Sequence, residues 1–163
     1  VVATRLLHAR PPRRGSITVV QDLNPDGHAE KRRGNARGVD LNRNFPGTWR
    51  PIRTAGPAPA SEVETRLAMQ LIRRLRPDVT IWFHQPQGLV RAWGASMPIA
   101  RRYARLAGMR FARLRRPPGT ATAWQAGAMP ASRSFVVELA PGELVIRAAG
   151  RYAGAILRLS RAE

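Results

Sequence analysis

The sequence predicts an α/β fold, with a mixed, largely parallel central sheet and helices on both faces. Three observations carry that prediction. Short runs rich in β-branched and aromatic residues recur at 16–23 (SITVVQDL), 78–85 (DVTIWFHQ) and 134–139 (SFVVEL), the composition of strands. Longer segments with apolar residues at helical spacing lie between and after them. The alternation of the two implies an open sheet, whose ligands bind beyond the carboxyl ends of its strands.

Taken in order, residues 1–10 (VVATRLLHAR) have helical spacing and stop at Pro11 and Pro12, which cannot continue a helix. His8 falls in the last turn, where a histidine complements the helix dipole; as a metal ligand its spacing is poor, because Pro11 stands three residues on. Residues 16–23 read as a buried strand entering a type I turn at Asn24-Pro25-Asp26-Gly27, with proline to preset φ and glycine at the last position. His28 reads as a solvated loop residue. Residues 50–60, rich in proline, glycine and alanine, read as a surface loop. Ser61 is the expected N-cap of a helix that ends at Arg76-Pro77, and capping and dipole compensation account for Glu62 and Glu64 without chemistry.

The strand at 78–85 is apolar enough for burial on both faces, and it delivers His84 at its C-terminal end. After a loop, residues 98–108 read as a helix with Ile99, Tyr103 and Leu106 on one face, and 109–114 as a short strand. Residues 117–133 are expected to be irregular, since GTATAW and Pro130 argue against a long element. The strand at 134–139 presents Glu138 near its end, and a carboxylate after two valines is costly to bury unpaired. Pro141-Gly142 then turns the chain into a last helix, 143–161.

At 163 residues the chain fits one domain with a sizeable core. Its net charge of +18 comes from 28 basic residues of which Lys31 is the only lysine. Arginines spread along the whole chain, helices included, indicate a compositional drift rather than a phosphate-binding face. With no cysteine there is no disulfide and no thiolate chemistry. No stretch is long and apolar enough to span a bilayer, and no signal peptide is visible.

The unusual chemistry is gathered at 24–46 (NPDGHAEKRRGNARGVDLNRNFP). Arg33-Gly34-Asn35 and the run from Val39 to Phe45 alternate guanidinium and amide groups with apolar anchors. Planar donors at this spacing suit a carboxylate or an oxyanion; the other reading is that they cap turns and satisfy loop backbone. NPDG, then RxN, then GVDLNRNFP resembles the signature of the zinc metallocarboxypeptidases, the family of the pancreatic carboxypeptidases. GPAPASEVET at 56–65, TIWFHQP at 80–86 and FVVELAPGEL at 135–144 follow in that family's order. The flavour is that of short bacterial members that trim murein peptides.

The resemblance implies roles. His84 matches the third zinc ligand, and Glu138 the glutamate that activates the metal-bound water and passes its proton to the leaving amine. Arg33 matches the arginine that stabilises the oxyanion, and Asn42 and Arg43 the pair that grips the substrate's terminal carboxylate. Zinc is the implied cofactor of the intact protein, and a peptide with a free C-terminal carboxylate the implied substrate. Two departures stand out. Arg115-Arg116-Pro117-Pro118 occupies the place of a tyrosine common in the family. The HxxE segment that supplies the other two zinc ligands is missing: three residues after His8, His28 and His84 stand Pro11, Lys31 and Gln87. Residues 1–163 are therefore expected to form a single catalytic domain, incomplete at its N-terminus, that binds zinc weakly or not at all and is inactive alone. Two rivals are a catalytically dead carboxylate-binding relative and a basic module for nucleic acid or anionic polymer.

Overall fold

The computed structural model describes residues 1–10, 12, 15–115 and 118–160. Its elements are α1 (Val2–Leu7), α2 (Pro25–Ala29), a 3-10 turn (Leu41–Arg43), α3 (Val63–Leu75), β1 (Val79–His84), β2 (Leu89–Ala92), α4 (Met97–Ala107), β3 (Arg110–Arg113), α5 (Ala121–Ala128), β4 (Arg133–Glu138) and α6 (Ile146–Leu159). The chain forms two compact units. The first comprises Val1–Gln21, Ile81–Leu114 and Phe135–Glu163, and the second Asp22–Thr80 and Arg115–Ser134.

The four strands form one sheet in the order β1-β4-β2-β3. β2 runs parallel to β3 and antiparallel to β4. At the β1–β4 junction the Arg133 amide donates to Asp78 O and the Leu139 amide to His84 O. An equal offset at both ends is a parallel pairing, so two of the three junctions are parallel and the mixed, largely parallel α/β sheet is as expected. β1 is an edge strand here, and all six of its residues are half-buried rather than buried on both faces. β2 was not foreseen, because LVRA is short and an arginine interrupts it.

In the first unit, Val90 faces Val137 across the β2–β4 junction, and these two with Ala92 and Phe135 are fully buried. α4 packs on β2 and β3, and α6 packs on α4 and α1. Tyr103 of α4 sets its ring 5.4 Å from that of Phe135 and donates its hydroxyl to Tyr152 O at 3.4 Å. Burial, with Tyr152 beside it, pushes the phenol well above its usual range, so the hydroxyl stays a donor. α4 ends where Gly108 adopts the left-handed conformation (φ 62°), a standard glycine stop.

In the second unit, α3 buries Thr65, Ala68, Met69 and Ile72, and it stops at left-handed Arg76 before Pro77. Residues 117–133, expected to be irregular, contain α5. The expectation failed because Ala121 to Gln125 are all buried, so the helix has no polar face and no amphipathic period to read. Its Gln125 donates to Thr80 Oγ1 and Ser132 Oγ, both at 2.8 Å, while Trp124 stacks obliquely on Phe45 at 5.7 Å.

Four further expectations need correction. Residues 16–20 carry no strand assignment, and Val20 is 53% exposed. Their propensity favours extended backbone, but a ladder needs a partner and none among the described residues pairs with them. Asn24-Pro25-Asp26-Gly27 is not a free turn but the start of α2: Asn24 is the N-cap, its side chain accepting from the Gly27 amide, with Pro25 in the first turn. Ser61 does not cap α3. The N-cap is Glu62, without a side-chain cap bond, and Ser61 Oγ instead donates to Glu62 Oε1 at 2.6 Å. The last helix begins at Ile146, three residues later than expected; Arg161, its expected end, lies outside the described residues, as do Arg116 and Pro117 of the family's tyrosine region and Pro11 and Arg13 near the end of the first helix.

Candidate functional site

In the first unit the strand register positions the two residues of most interest. In a parallel pair, the amide that donates to His84 O belongs to the residue after His84's partner. That amide is Leu139's, so His84 and Glu138 are register neighbours. Their side chains leave the same face of strands about 4.8 Å apart. Glu138 is also the register partner of Leu89 on β2, so the ends of β1 and β4 and the start of β2 share one edge. The connection from β1 to β2 is tied down there. Gln85 Nε2 donates to Ala140 O at 2.9 Å and Gly142 O at 3.0 Å, and the Gly88 amide donates to Leu139 O at 3.1 Å.

In the second unit Arg33, Asn42 and Arg43 come together on one loop. Asp40 organises it: Oδ2 accepts Arg33 Nε at 2.7 Å, and Oδ1 accepts the Asn42 amide at 3.1 Å, capping the 3-10 turn. Arg33 is 62% exposed and Asp40 10%, so the carboxylate is fixed inside and aims an outward guanidinium. Val39, Leu41 and Phe45 are the buried anchors. Asn42 Oδ1 accepts the Ala121 amide at 3.0 Å, and Arg43 Nη1 donates to Asn42 O at 2.7 Å. Gly119, at φ +69°, lies so close that a Cβ there would collide with the carbonyl oxygen of Arg43; its own carbonyl accepts the Phe45 amide.

The other asparagines of this stretch are structural. Asn35 donates to Glu62 Oε2 at 2.9 Å and Glu64 Oε1 at 3.0 Å, while its Oδ1 accepts the Arg37 and Val39 amides. Asn44 donates to Ala55 O, Ala58 O and Ser61 Oγ. Glu62 is the hub, 1% exposed. Burial alone would push its carboxyl up, but hydrogen bonds from Ser61 and Asn35, with the charges of Arg37 and Arg66, outweigh that and hold it below its ordinary value. Loop satisfaction thus explains Asn35 and Asn44; Arg33, Asn42 and Arg43 also bind within the loop or to its neighbour Ala121, and they remain the site candidates.

The remaining histidines have local roles. His8 closes α1 with a contact of 2.8 Å to Thr4 O, and His28 pairs with Asp22 at 2.6 Å. Among the described residues no group of three His, Cys, Asp or Glu could hold a metal ion. A zinc centre takes three protein ligands, and the described residues gather no such set. Sequence reasoning passed over Arg91, which lies within β2 on the face shared by Glu138 and His84; a single arginine inside an apolar run was its only signal.

Known proteins resemble this chain in sequence and fold. The sequence matches the zinc carboxypeptidase family (Peptidase_M14) over residues 13–107. Murein peptide amidase A of Escherichia coli strain K12 is 40% identical over 85 residues, which span 42% of this chain and 35% of that protein's length. The crystal structure of murein-tripeptide amidase MpaA from Escherichia coli O157 superposes with a TM-score of 0.73 at 29% identity, covering 89% of this chain and 67% of that one. Bovine thrombin-activatable fibrinolysis inhibitor, in complex with tick carboxypeptidase inhibitor, shares the fold with a TM-score of 0.61 at 19% identity, over 75% of this chain and 55% of that one. The chain belongs to the zinc carboxypeptidase family, whose members depend on zinc.

Proposed function

We propose that the protein to which this chain belongs is a hydrolase that cleaves a terminal peptide or amide bond, in murein peptides, next to a free carboxylate. The names of the bacterial relatives support the murein part of this reading. Within it, Glu138 takes the proton of the attacking water and returns it to the leaving amine. Among the described residues His84 is the metal ligand. Arg33, aimed by Asp40, stabilises the oxyanion, and Asn42 and Arg43 hold the terminal carboxylate through planar donors. When bound, zinc would polarise the scissile carbonyl; among the described residues no group of three His, Cys, Asp or Glu could hold it. Residues 1–163 are read as part of a single catalytic domain. Among the described residues no helix is long and apolar enough to cross a membrane.

The observation that carries the reading is the register that sets His84 beside Glu138 at the end of two parallel strands. A base and a metal ligand on one face of one sheet edge is an arrangement for hydrolysis, and a nucleic-acid module has no use for it. The test is turnover by the zinc-supplemented full-length protein on a murein-type peptide ending in a free carboxylate and on the same peptide ending in an amide. The acid should be cleaved at least about tenfold faster, the worth of one charge-assisted contact. Equal rates would replace the carboxypeptidase reading with a general amidase.

A further inference from the structure

We propose that Gln125 is a positioning residue: acting along α5, it keeps the Ala121 amide on Asn42 and so fixes which end of the Asn42 carboxamide meets the substrate. The inference rests on the reading above, in which Asn42 holds the terminal carboxylate. α5 is only eight residues long, and its N-cap, Thr120, makes no side-chain cap bond. A helix this short is not stable by its own propensity, and its first amide has no partner inside the helix. Asn42 supplies that partner, its Oδ1 accepting the Ala121 amide at 3.0 Å. The bond acts on both sides. It caps α5, and it engages the oxygen of Asn42, so that what this carboxamide can offer a ligand is its Nδ2, a group with donors only. A carboxylate needs donors; with the carboxamide turned over, it would meet an oxygen instead.

The place of α5 along its own axis therefore decides how Asn42 is presented, and Gln125 sets that place. It stands four residues after Ala121, one turn further along the same face, and it is fully buried. Its Nε2 donates to Thr80 Oγ1, near the start of β1, and to Ser132 Oγ, just before β4, both at 2.8 Å. Ser132 Oγ in turn donates to Pro77 O at 2.6 Å, which ties the same point to the end of α3. At the other end of α5 the Phe45 amide donates to Gly119 O, and the Phe45 ring stacks on Trp124. Arg73 of α3 lies over the Trp124 ring at 5.7 Å.

Packing alone does not account for a glutamine here. Methionine or leucine would fill a similar space without the cost of burying a carboxamide, a cost that is not fully offset, since Gln125 Oε1 is buried with no partner among the described residues. Apolar contact is non-directional, however, and leaves a short helix rich in alanine free to slide or turn about its axis. Two hydrogen bonds from one side chain to separate elements do not. A slip of α5 by a fraction of an ångström would stretch the Ala121 bond and release the Asn42 oxygen.

Two substitutions separate the bond from its anchor. Ala121→Pro removes the amide hydrogen and spares the helix, since proline is favoured at the first helical position and Thr120 before it is already extended (φ −85°, ψ 148°). Gln125→Met keeps the length of the side chain and removes its donors. In the zinc-loaded full-length protein, kcat and KM are measured on a peptide ending in a free carboxylate and on the same peptide ending in an amide. Both variants should raise KM for the acid about fivefold, the worth of one neutral hydrogen bond, with kcat and the amide peptide little changed. An unchanged KM in Gln125→Met, or an equal loss on both peptides, overturns the proposal. Hydrogen exchange of the Ala121 amide, followed by NMR, needs no substrate: its protection should fall about fivefold or more in Gln125→Met, and protection equal to wild type excludes the anchoring role. Should Gln125→Met not fold, Thr80→Val and Thr80→Ser decide. The serine keeps the acceptor and should match wild type, the valine should follow Gln125→Met, and identical behaviour of the two counts against the proposal. Equal wild-type rates on acid and amide would refute the terminal-carboxylate reading separately, and the exchange of Ala121 would still decide whether Gln125 holds α5 on Asn42.

Discussion

The sheet edge that carries His84 and Glu138 and the loop that carries Arg33, Asn42 and Arg43 are made by opposite means. At the edge the backbone positions the side chains: one ladder hydrogen bond, from the Leu139 amide to His84 O, is enough to put the two residues side by side. In the loop the side chains position the backbone. Asn35, Asp40, Asn44 and Glu62 are spent on amides, carbonyls and one another, and only then do Arg33 and Arg43 have a fixed place to stand. The two regions should therefore fail differently. A substitution at the edge should remove chemistry and spare stability, whereas one in the loop's interior should remove stability first.

The largest expected effect lies at the edge. In the full-length, zinc-loaded protein, Glu138→Gln keeps the shape and removes the base, so kcat should fall by about 10²–10⁴-fold with KM and melting temperature little changed. A large loss of melting temperature instead would mean that Glu138 is a structural residue. Next comes the loop's outward member. Arg33→Gln should lower kcat by about 10²–10³-fold if Arg33 faces the oxyanion, yet cost only about 1 kcal/mol of stability, because the guanidinium is largely exposed and the inward Asp40 carboxylate keeps its bond from the Asn42 amide. Steady-state kinetics and denaturant titration on the same preparation separate the two.

Glu62 tests the loop's interior. Glu62→Gln should destabilise the protein by about 1–3 kcal/mol at pH 7, the cost of leaving buried donors badly matched. Its carboxyl is held below the ordinary 4.5 in the folded protein. The stabilisation it provides is thus complete above that value and is lost as pH falls through the lower, folded pKa. Urea titrations from pH 7 to pH 3 should show wild type and variant converging at the acid end; a gap that stays constant would exclude the carboxylate as its source. The smallest effect belongs to Arg101 and Arg105, exposed on α4, with Arg101 lying over the Phe111 ring at 5.0 Å. Replacing both by glutamine should change stability by about 0.5 kcal/mol or less and leave turnover intact. If these arginines and added salt control activity, the basic-module reading returns.

Legibility followed the same division. β1 and β4 were readable because Val79, Ile81, Phe83, Phe135 and Val137 declare extended backbone locally, and with them came His84 and Glu138. Residues 16–20 declare it just as loudly, but pairing is a property of two segments and no run announces its own partner. α5 was invisible for another reason: its first five residues are all buried, which erases the period that identifies a helix. β2 was missed because Arg91 broke its apolar run. In the loop, the motif around Asn42 and Arg43 was legible, while the division of labour between the asparagines was not. Asn35 and Asn44 differ from Asn42 only in what lies across from them, residues 27 and 29 positions away for Asn35, 11 to 18 for Asn44 and 79 for Asn42.

Gly119 carries a consequence for anyone selecting variants of this protein. It bears no functional group, and nothing in its sequence neighbourhood marks it as belonging to a site. Yet its backbone is seated on the carbonyl of Arg43 with no room for a methyl group, and its carbonyl takes the Phe45 amide. Any side chain at 119 must push the Arg43 turn outward. If Arg43 holds substrate as proposed, a library randomised at this position would score as if Arg43 itself had been damaged, and a screen for altered substrate choice would recover Gly119 substitutions as false specificity mutants.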